Sequence, residues 1–278
     1  MQKIEINGKN NIGKNILIIT GVHGNELTPI YCGYLLSKLD YSNYDFKKIT
    51  IINSINKNGI AKNTRDIPNI STSDLNRMFN TDVNFNEKEE LEKQIKEHDI
   101  IIDIHSSPKC DNFVLLNQDE NTNSYVKYCI KNNINYLIRY STANTIKKYC
   151  IDLNKISFTL ELNMLNYIDI NSAENGKDIV LKIINDCNIT INKEEPIYNT
   201  YLELQTYKTG LFLPKKQCGN IIKENDIIGS ILNIDTFEET SIKCTFKGKF
   251  RIICFGETNY VDGSNSICFL QPLNEALS

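Results

Sequence analysis

The chain predicts an α/β protein with a small all-β domain at its C-terminal end, and two patterns in its 278 residues predict it. From residue 14 to residue 187, short apolar runs alternate with stretches of helical period. That alternation implies a mostly parallel sheet covered by helices on both faces. Beyond "DCNITINKEEPIYN" the helical period stops, and short strands separated by Gly, Asn and Asp turns take over. A boundary near residue 195 follows, dividing the chain into 1–194 and 195–278. The length suits one large domain and one small one.

The elements follow in order. Residues 14–20 read as a buried strand, and "ELTPIYCGYLLSKL" after the next turn as an amphipathic helix. "KITIINSI" is a second strand. "NFNEKEELEKQIKEH" is a helix with a polar face and an Asn at its start, and it feeds the apolar strand "DIIIDIHSS". "DNFVLLNQ", "INYLIRYS" and "ISFTLELN" continue as strands, with helical patterns at about 123–132 and 173–187. In the last segment "GLFLPKK", "DIIGSILN", "SIKCTFKGKFRIICF" and "SICFLQPL" are short strands.

Composition excludes several classes. Net charge is −3 with acids and bases interspersed, so no basic stripe suggests nucleic acid or an anionic membrane as a partner. No apolar run approaches the roughly 20 residues that span a bilayer. "MQKIEINGKN" lacks the layout of a signal peptide. Nine scattered cysteines without a C-x-x-C pair read as free, buried thiols of a reducing cytoplasm. A homo-oligomer is compatible with all of this.

The chemistry concentrates in a few stretches. "NILIITGVHGNELTPIY" runs a strand into a turn bounded by Gly21 and Gly24, and places His23 and Glu26 three residues apart. His-x-x-Glu alone is a weak signal, but ligands of open α/β sheets bind outside the carboxyl ends of strands. The flanking glycines also allow close backbone approach. "IIIDIHSS" puts His105 at the end of another apolar strand, with Asp103 two residues earlier on the same face. Together His23, Glu26 and His105 offer two imidazoles and a carboxylate, the donor set of a catalytic zinc with one open position. His98, the third histidine, follows a helix rich in Lys and Glu and reads as a surface residue. "NTRDIPNISTSDLNRMFN" is polar and turn-prone, yet holds two of the four arginines, Arg65 and Arg77, beside Asp74 and Asn76. Arginine's planar fork suits a carboxylate. Glu161 sits among Phe158, Leu160 and Leu162, where burial raises a carboxyl pKa and suits a general base.

"GVHGNE", "SDLNRMF", "IDIHSS" and "FTLEL", in this order, resemble the motifs of zinc-dependent deacylases of the succinylglutamate desuccinylase/aspartoacylase family, relatives of the metallocarboxypeptidases. The resemblance covers nearly the whole chain, and the C-terminal segment is similar to that branch's appended barrel-like domain. It implies a metallocarboxypeptidase-like mixed sheet covered by helices, with a barrel-sandwich-like domain capping the site. It implies one Zn2+ per chain, held by His23, Glu26 and His105, with Asp74 fixing the tautomer of His23. Glu161 would take the proton of the attacking water, Arg65 would steady the oxyanion, and Asn76 and Arg77 would hold the substrate's carboxylate. The interval "DIPNISTS" is longer than in aspartoacylase itself. The carboxylate-reading residues that precede the base there have no clear counterpart here, "TIKKYC" offering Lys147 or Lys148.

The expected activity is therefore zinc-dependent hydrolysis of a carbon–nitrogen bond in an N-acyl amino acid or similar small carboxylate. A carboxypeptidase acting on short peptides shares every motif. A binding protein without turnover has no need of Glu161. A carrier module would need a Met-Lys-Met turn, whereas Lys247 and Lys249 merely flank Gly248.

Overall fold

A computed structural model describes residues 2–9, 13–68, 74–118, 122–140, 142–186, 190, 192, 202–256, 258–263 and 265–273. The boundary expected near residue 195 and part of the "DIPNISTS" interval lie outside the described residues.

The first strand, β1 (Lys3–Asn7), is a half-exposed edge that no apolar run betrays. Then come β2 (Asn15–Ile19), α1 (Leu27–Ser37), β3 (Lys48–Ile52), the short α2 (Lys57–Lys62) and a 3-10 turn at Leu75–Arg77. Helix α3 (Asn86–Glu97) leads into β4 (Ile100–Ser107) and β5 (Phe113–Asn117). After α4 (Thr122–Lys131) follow β6 (Tyr136–Arg139), α5 (Ile146–Asp152), β7 (Ile156–Asn163) and α6 (Ile170–Asn185). The seven strands form one sheet in the order β1-β3-β2-β4-β7-β5-β6. Its centre, β3-β2-β4-β7, is parallel, while β1 and β5 run antiparallel to their inner neighbours. The sheet is thus mixed around a parallel centre.

Strand alternation sorts its side chains into two layers. On one face Ile16, Ile18, Ile100, Ile102, Ile104, Phe158, Leu160 and Leu162 pack under α1, α4 and α6. On the other, Leu17, Ile19 and Ile101 meet Leu91 and Ile95 of α3 and Ile146 and Tyr149 of α5. At the carboxyl ends of β4 and β7 this second face turns polar, with Asp103, His105, Thr159 and Glu161. The β4–β7 register sets Asp103 beside Thr159 and His105 beside Glu161.

His98 departs from its expected surface position. It is fully buried below α3, its Nδ1 2.6 Å from the Gln94 carbonyl and its Nε2 2.8 Å from the Thr50 hydroxyl. A helix C-terminus that ends against a sheet is an interior place. Burial pushes the imidazole's pKa down, so it stays neutral, which the two hydrogen bonds suit. At the other end of α3 the capping position belongs to Phe85, and no side chain caps the helix there.

The remaining strands are β8 (Leu202–Gln205), β9 (Thr209–Pro214), β10 (Ile221–Lys223), β11 (Ile227–Leu232), β12 (Glu239–Lys243), β13 (Lys249–Phe255), β14 (Tyr260–Asp262) and β15 (Ser266–Pro272). They form two antiparallel four-stranded sheets, β10-β13-β15-β8 and β12-β11-β9-β14. Residues of both, among them Phe212, Ile228, Ile231, Phe250, Ile252 and Leu270, share one apolar cluster. A second cluster joins this region to the large sheet. In it Cys110, Phe113 and Leu137 meet Ile253, Cys254 and Phe269, and the Asp111 N–H donates to the Ile253 carbonyl at 2.8 Å.

The eight described cysteines are free thiols, and seven of them are buried. No described helix is long and apolar enough to cross a membrane.

Candidate metal centre

The turn after β2 is held by its neighbours before any ligand chemistry begins. Gly21 adopts φ +68°, a conformation that favours glycine. At Gly24 a Cβ would stand 2.0 Å from the Gly59 carbonyl carbon and 2.3 Å from the Ile60 nitrogen. The close approach expected of the glycines is therefore an approach to α2. The Asn56 side chain accepts the Gly59 N–H at 2.8 Å and donates to the Val22 and Arg65 carbonyls, each at 3.3 Å. Glu26 occupies the N-cap of α1 but makes no capping bond with its side chain. Its carboxylate is turned toward the imidazoles instead.

His23, Glu26 and His105 converge, all three buried, with ligating atoms within 4.8 Å of one another. The two Nδ1 atoms face each other at 3.1 Å; Glu26 Oε1 lies 2.6 Å from His23 Nδ1, and Oε2 lies 3.0 Å from His105 Nδ1. Glu26 Oε2 also accepts the Ser106 N–H at 3.0 Å. The outer ring nitrogens are each held by an aspartate. His23 Nε2 is 3.0 Å from Asp74 Oδ1, and His105 Nε2 is 2.8 Å from Asp103 Oδ2. An Nε2–H that donates to carboxylate leaves Nδ1 with its lone pair, so both lone pairs aim at the point the Glu26 carboxylate also faces. A divalent cation fits that donor set, two nitrogens with one carboxylate oxygen being a set that catalytic metal sites use.

The charges support the geometry. Burial acts against a charged Glu26, yet His105 and His23 beside it outweigh burial and hold its carboxyl at about 2. Burial also lowers His23, but hydrogen bonds to Asp74 and Glu26 raise it further than burial lowers it. His105 is likewise raised, Asp103 and Glu26 overcoming complete burial.

Glu161 stands across from His105 on the neighbouring strand, and the Ser107 hydroxyl donates to its Oε2 at 2.8 Å. Burial pushes its carboxyl up, and the Glu26 charge adds to the effect despite the opposing influence of His105. Arg65 is half-exposed. It donates to Asp74 Oδ2 through Nε at 3.2 Å and Nη2 at 3.1 Å, while its Nη1 is 3.6 Å from Glu26 Oε1. Asn76 sits between layers: its Oδ1 accepts the Ile146 N–H at 2.8 Å and its Nδ2 lies 3.4 Å from His105 Nε2. Arg77 is exposed on the rim, and its Nη1 donates to the Asn76 carbonyl at 2.6 Å. All these residues except Asp74 line one pocket of about 870 Å³, to which Thr258 contributes from the C-terminal sheets.

Two participants were not singled out by the sequence. Asp103 was placed on the right face without a task, although Asp-x-His on a strand puts both side chains side by side. Ser107, two residues beyond His105, carried no signal apart from the same alternation. Of the two lysines in "TIKKYC", Lys147 is buried and lines the pocket, whereas Lys148 is half-exposed and paired with Asp152.

An α/β sheet whose strand ends gather two imidazoles and a carboxylate defines a protein with a buried group able to hold a divalent metal. Residues 12–186 match the succinylglutamate desuccinylase/aspartoacylase catalytic domain, and the chain belongs to that family. Solved structures share the fold at low identity. An aspartoacylase family protein from Mesorhizobium loti superposes with a TM-score of 0.72 at 18% identity, over 98% of this chain and 88% of that one. A succinylglutamate desuccinylase/aspartoacylase family protein from Shewanella amazonensis SB2B gives 0.68 at 16%, over 97% and 93%. The product-bound ectoine utilization protein EutE (DoeB) from Ruegeria pomeroyi gives 0.70 at 14%, over 94% and 86%. No curated protein sequence matches the chain.

Proposed function

We propose that the chain is a zinc-dependent deacylase that hydrolyses the amide bond of an N-acyl amino acid or similar small carboxylate. The observation that carries this reading is the paired Nδ1 atoms 3.1 Å apart over the Glu26 carboxylate, with Glu161 beside them on the next strand. His23, Glu26 and His105 would hold one zinc ion, oriented by Asp74 and Asp103. The ion supplies Lewis acidity to a carbonyl and lowers the pKa of water. Glu161 accepts the proton of the attacking water at its carboxylate and returns it to the departing amine. Ser107 donates to Glu161 and holds it in place. Arg65, anchored on Asp74, presents its Nη1 toward Glu26 and stabilises the oxygen that gains charge. Asn76 and Arg77 hold a substrate carboxylate at the rim. The C-terminal sheets, as a domain beginning near residue 195, narrow the approach, which favours small substrates over peptides.

Metal analysis of the purified protein, with a panel of N-acyl amino acids and dipeptides, tests the reading. The expected result is one zinc per chain and release of free amino acid from acyl amino acids. Hydrolysis of dipeptides alone would assign the site to peptide cleavage instead. Glu161→Gln should abolish turnover and keep the zinc; full-rate hydrolysis by that variant would remove Glu161 from the mechanism.

A further inference from the structure

Ten described residues other than glycine hold a positive φ, and seven of them are asparagines, a residue that tolerates the left-handed region. The three others are Lys109, Met164 and Phe237. Phe237 turns the β11–β12 hairpin outside the pocket, whereas Lys109 and Met164 both line it. Lys109 has a visible use there. Its ammonium donates to the Asn259 side chain and its carbonyl accepts the Phe255 N–H at 3.1 Å, which ties the loop after β4 to the C-terminal sheets. Met164 has no charge to place. Its backbone sits at φ +80°, and its side chain is left 38% exposed on the pocket wall.

We infer that Met164 is a specificity-determining residue, whose thioether chain contacts an aliphatic group of the substrate next to the scissile amide. The inference rests on the deacylase reading and adds to it the chemical class of one substituent.

The loop after β7 places this side chain beside the reacting centre. Met164 follows Glu161 by three residues. Its N–H donates at 3.2 Å to the carbonyl of Ser107, whose hydroxyl holds Glu161. Two residues on, the Asn166 N–H donates at 2.8 Å to the carbonyl of Asn25, the neighbour of Glu26. The loop is thus pinned to both flanks of the metal ligands. Farther along, the Thr28 hydroxyl donates to the Tyr167 carbonyl at 3.4 Å and accepts the Asp169 N–H at 3.0 Å, and the Asn163 side chain donates to Asp169 at 3.0 Å. A disfavoured φ persists only where surrounding bonds over-determine it, and such residues gather at functional sites. Here every bond belongs to the loop's frame, and the residue under strain is the one that faces the pocket.

An asparagine or glycine would take the same backbone at lower cost, as asparagine does two residues later at Asn166 with φ +65°. What only the methionine supplies is apolar surface. Pro108, Leu115 and Leu165 line the same pocket, so an aliphatic substituent meets other hydrocarbon besides Met164. An unbranched thioether adapts its shape to what it touches, which suits it to groups of more than one length.

The aliphatic group belongs either to the acyl chain or to the side chain of the released amino acid, and two substrate series separate these. Zinc-loaded full-length protein is given one amino acid carrying acyl chains from acetyl to hexanoyl, and one acyl group on amino acids from glycine to norleucine. In one series wild-type kcat/KM should rise about fourfold per added methylene over the first steps. Met164→Asn should flatten that series, and Met164→Leu should keep it. The series that responds identifies the substituent. A wild type indifferent to both, or a slope that survives Met164→Asn, overturns the inference and leaves deacylation intact. The urea midpoint supplies a readout that a packing role would move the other way. Met164→Asn should unfold at the wild-type midpoint or above it, because asparagine accepts this φ; a lower midpoint would make Met164 a packing residue and overturn the inference. Calorimetric binding of the two product series, acetate to hexanoate and glycine to norleucine, is independent of turnover. Affinity that rises with length in wild type but not in Met164→Asn supports the contact even if no acyl amino acid is cleaved. Affinity independent of length in both series counts against it.

Discussion

Asp103 provides the sharpest test of how the site is supported. Its Oδ2 lies 2.8 Å from His105 Nε2, and the residue is 1% exposed. Replacing it by Asn keeps the shape and an acceptor oxygen but removes the charge. A hydrogen bond to a charged group contributes about 1.5–3 kcal/mol, which corresponds to roughly ten- to a hundredfold in affinity. Losses of the same order follow when partners behind metal-ligating histidines are altered. Asp74 makes the matching contact to His23 at 3.0 Å, but its side chain is 20% exposed and shared with Arg65. Solvent screens it, so Asp74→Asn should cost less than tenfold. The assay is competition for zinc against a chromophoric chelator at fixed pH, with circular dichroism to confirm the fold. Zinc affinity in Asp103→Asn within about twofold of wild type would refute the argument. So would a larger loss in Asp74→Asn, because burial is what ranks the two.

Three further outcomes follow from the geometry. The activity of a general base requires its ionised form, so the raised carboxyl of Glu161 should place the acid limb of the kcat/KM profile above 4.5; a limb at or below that value contradicts the assignment. Gly24→Ala drives a methyl group into the α2 backbone and should destabilise the protein by about 1–3 kcal/mol or more, seen as a lower urea midpoint, with weaker zinc binding. His98 has a folded pKa below its unfolded value of 6.5, so its contribution to stability is complete above pH 6.5 and is lost as pH falls through the lowered folded pKa. His98→Gln should therefore show a smaller drop in unfolding free energy between pH 7.5 and about pH 5 than wild type does, and an equal drop would mean that His98 is not the titrating group.

His23 and His105 of the candidate site were legible because each closes the apolar run of a strand, a place with few other uses for histidine, and Glu26 because it lies three residues beyond His23. Glu161 was legible for the opposite reason, as a charge inside an apolar strand. Asp103 lay in plain view beside His105, but strand alternation gives a shared face, not a bond. His98 was misread because helical charge patterning describes the helix and not what its end abuts; a sheet lay below it, and Thr50 from another strand supplied the second hydrogen bond. Helix α5 is only seven residues, too short to establish a period, and with it went any means of choosing between Lys147 and Lys148. Strand β1, paired on one side and largely exposed, has no apolar alternation to find.

One strand carries both the hydrocarbon layer and the chemistry. Along β4, Ile100, Ile102 and Ile104 point into the layer beneath α1 and α6, while Asp103 and His105 point the other way. Losing a single residue upstream of Asp103 would exchange the two sets, sinking an imidazole into oil and lifting isoleucines into the pocket. A change of length inside β4 would therefore cost the hydrocarbon layer and the candidate site together.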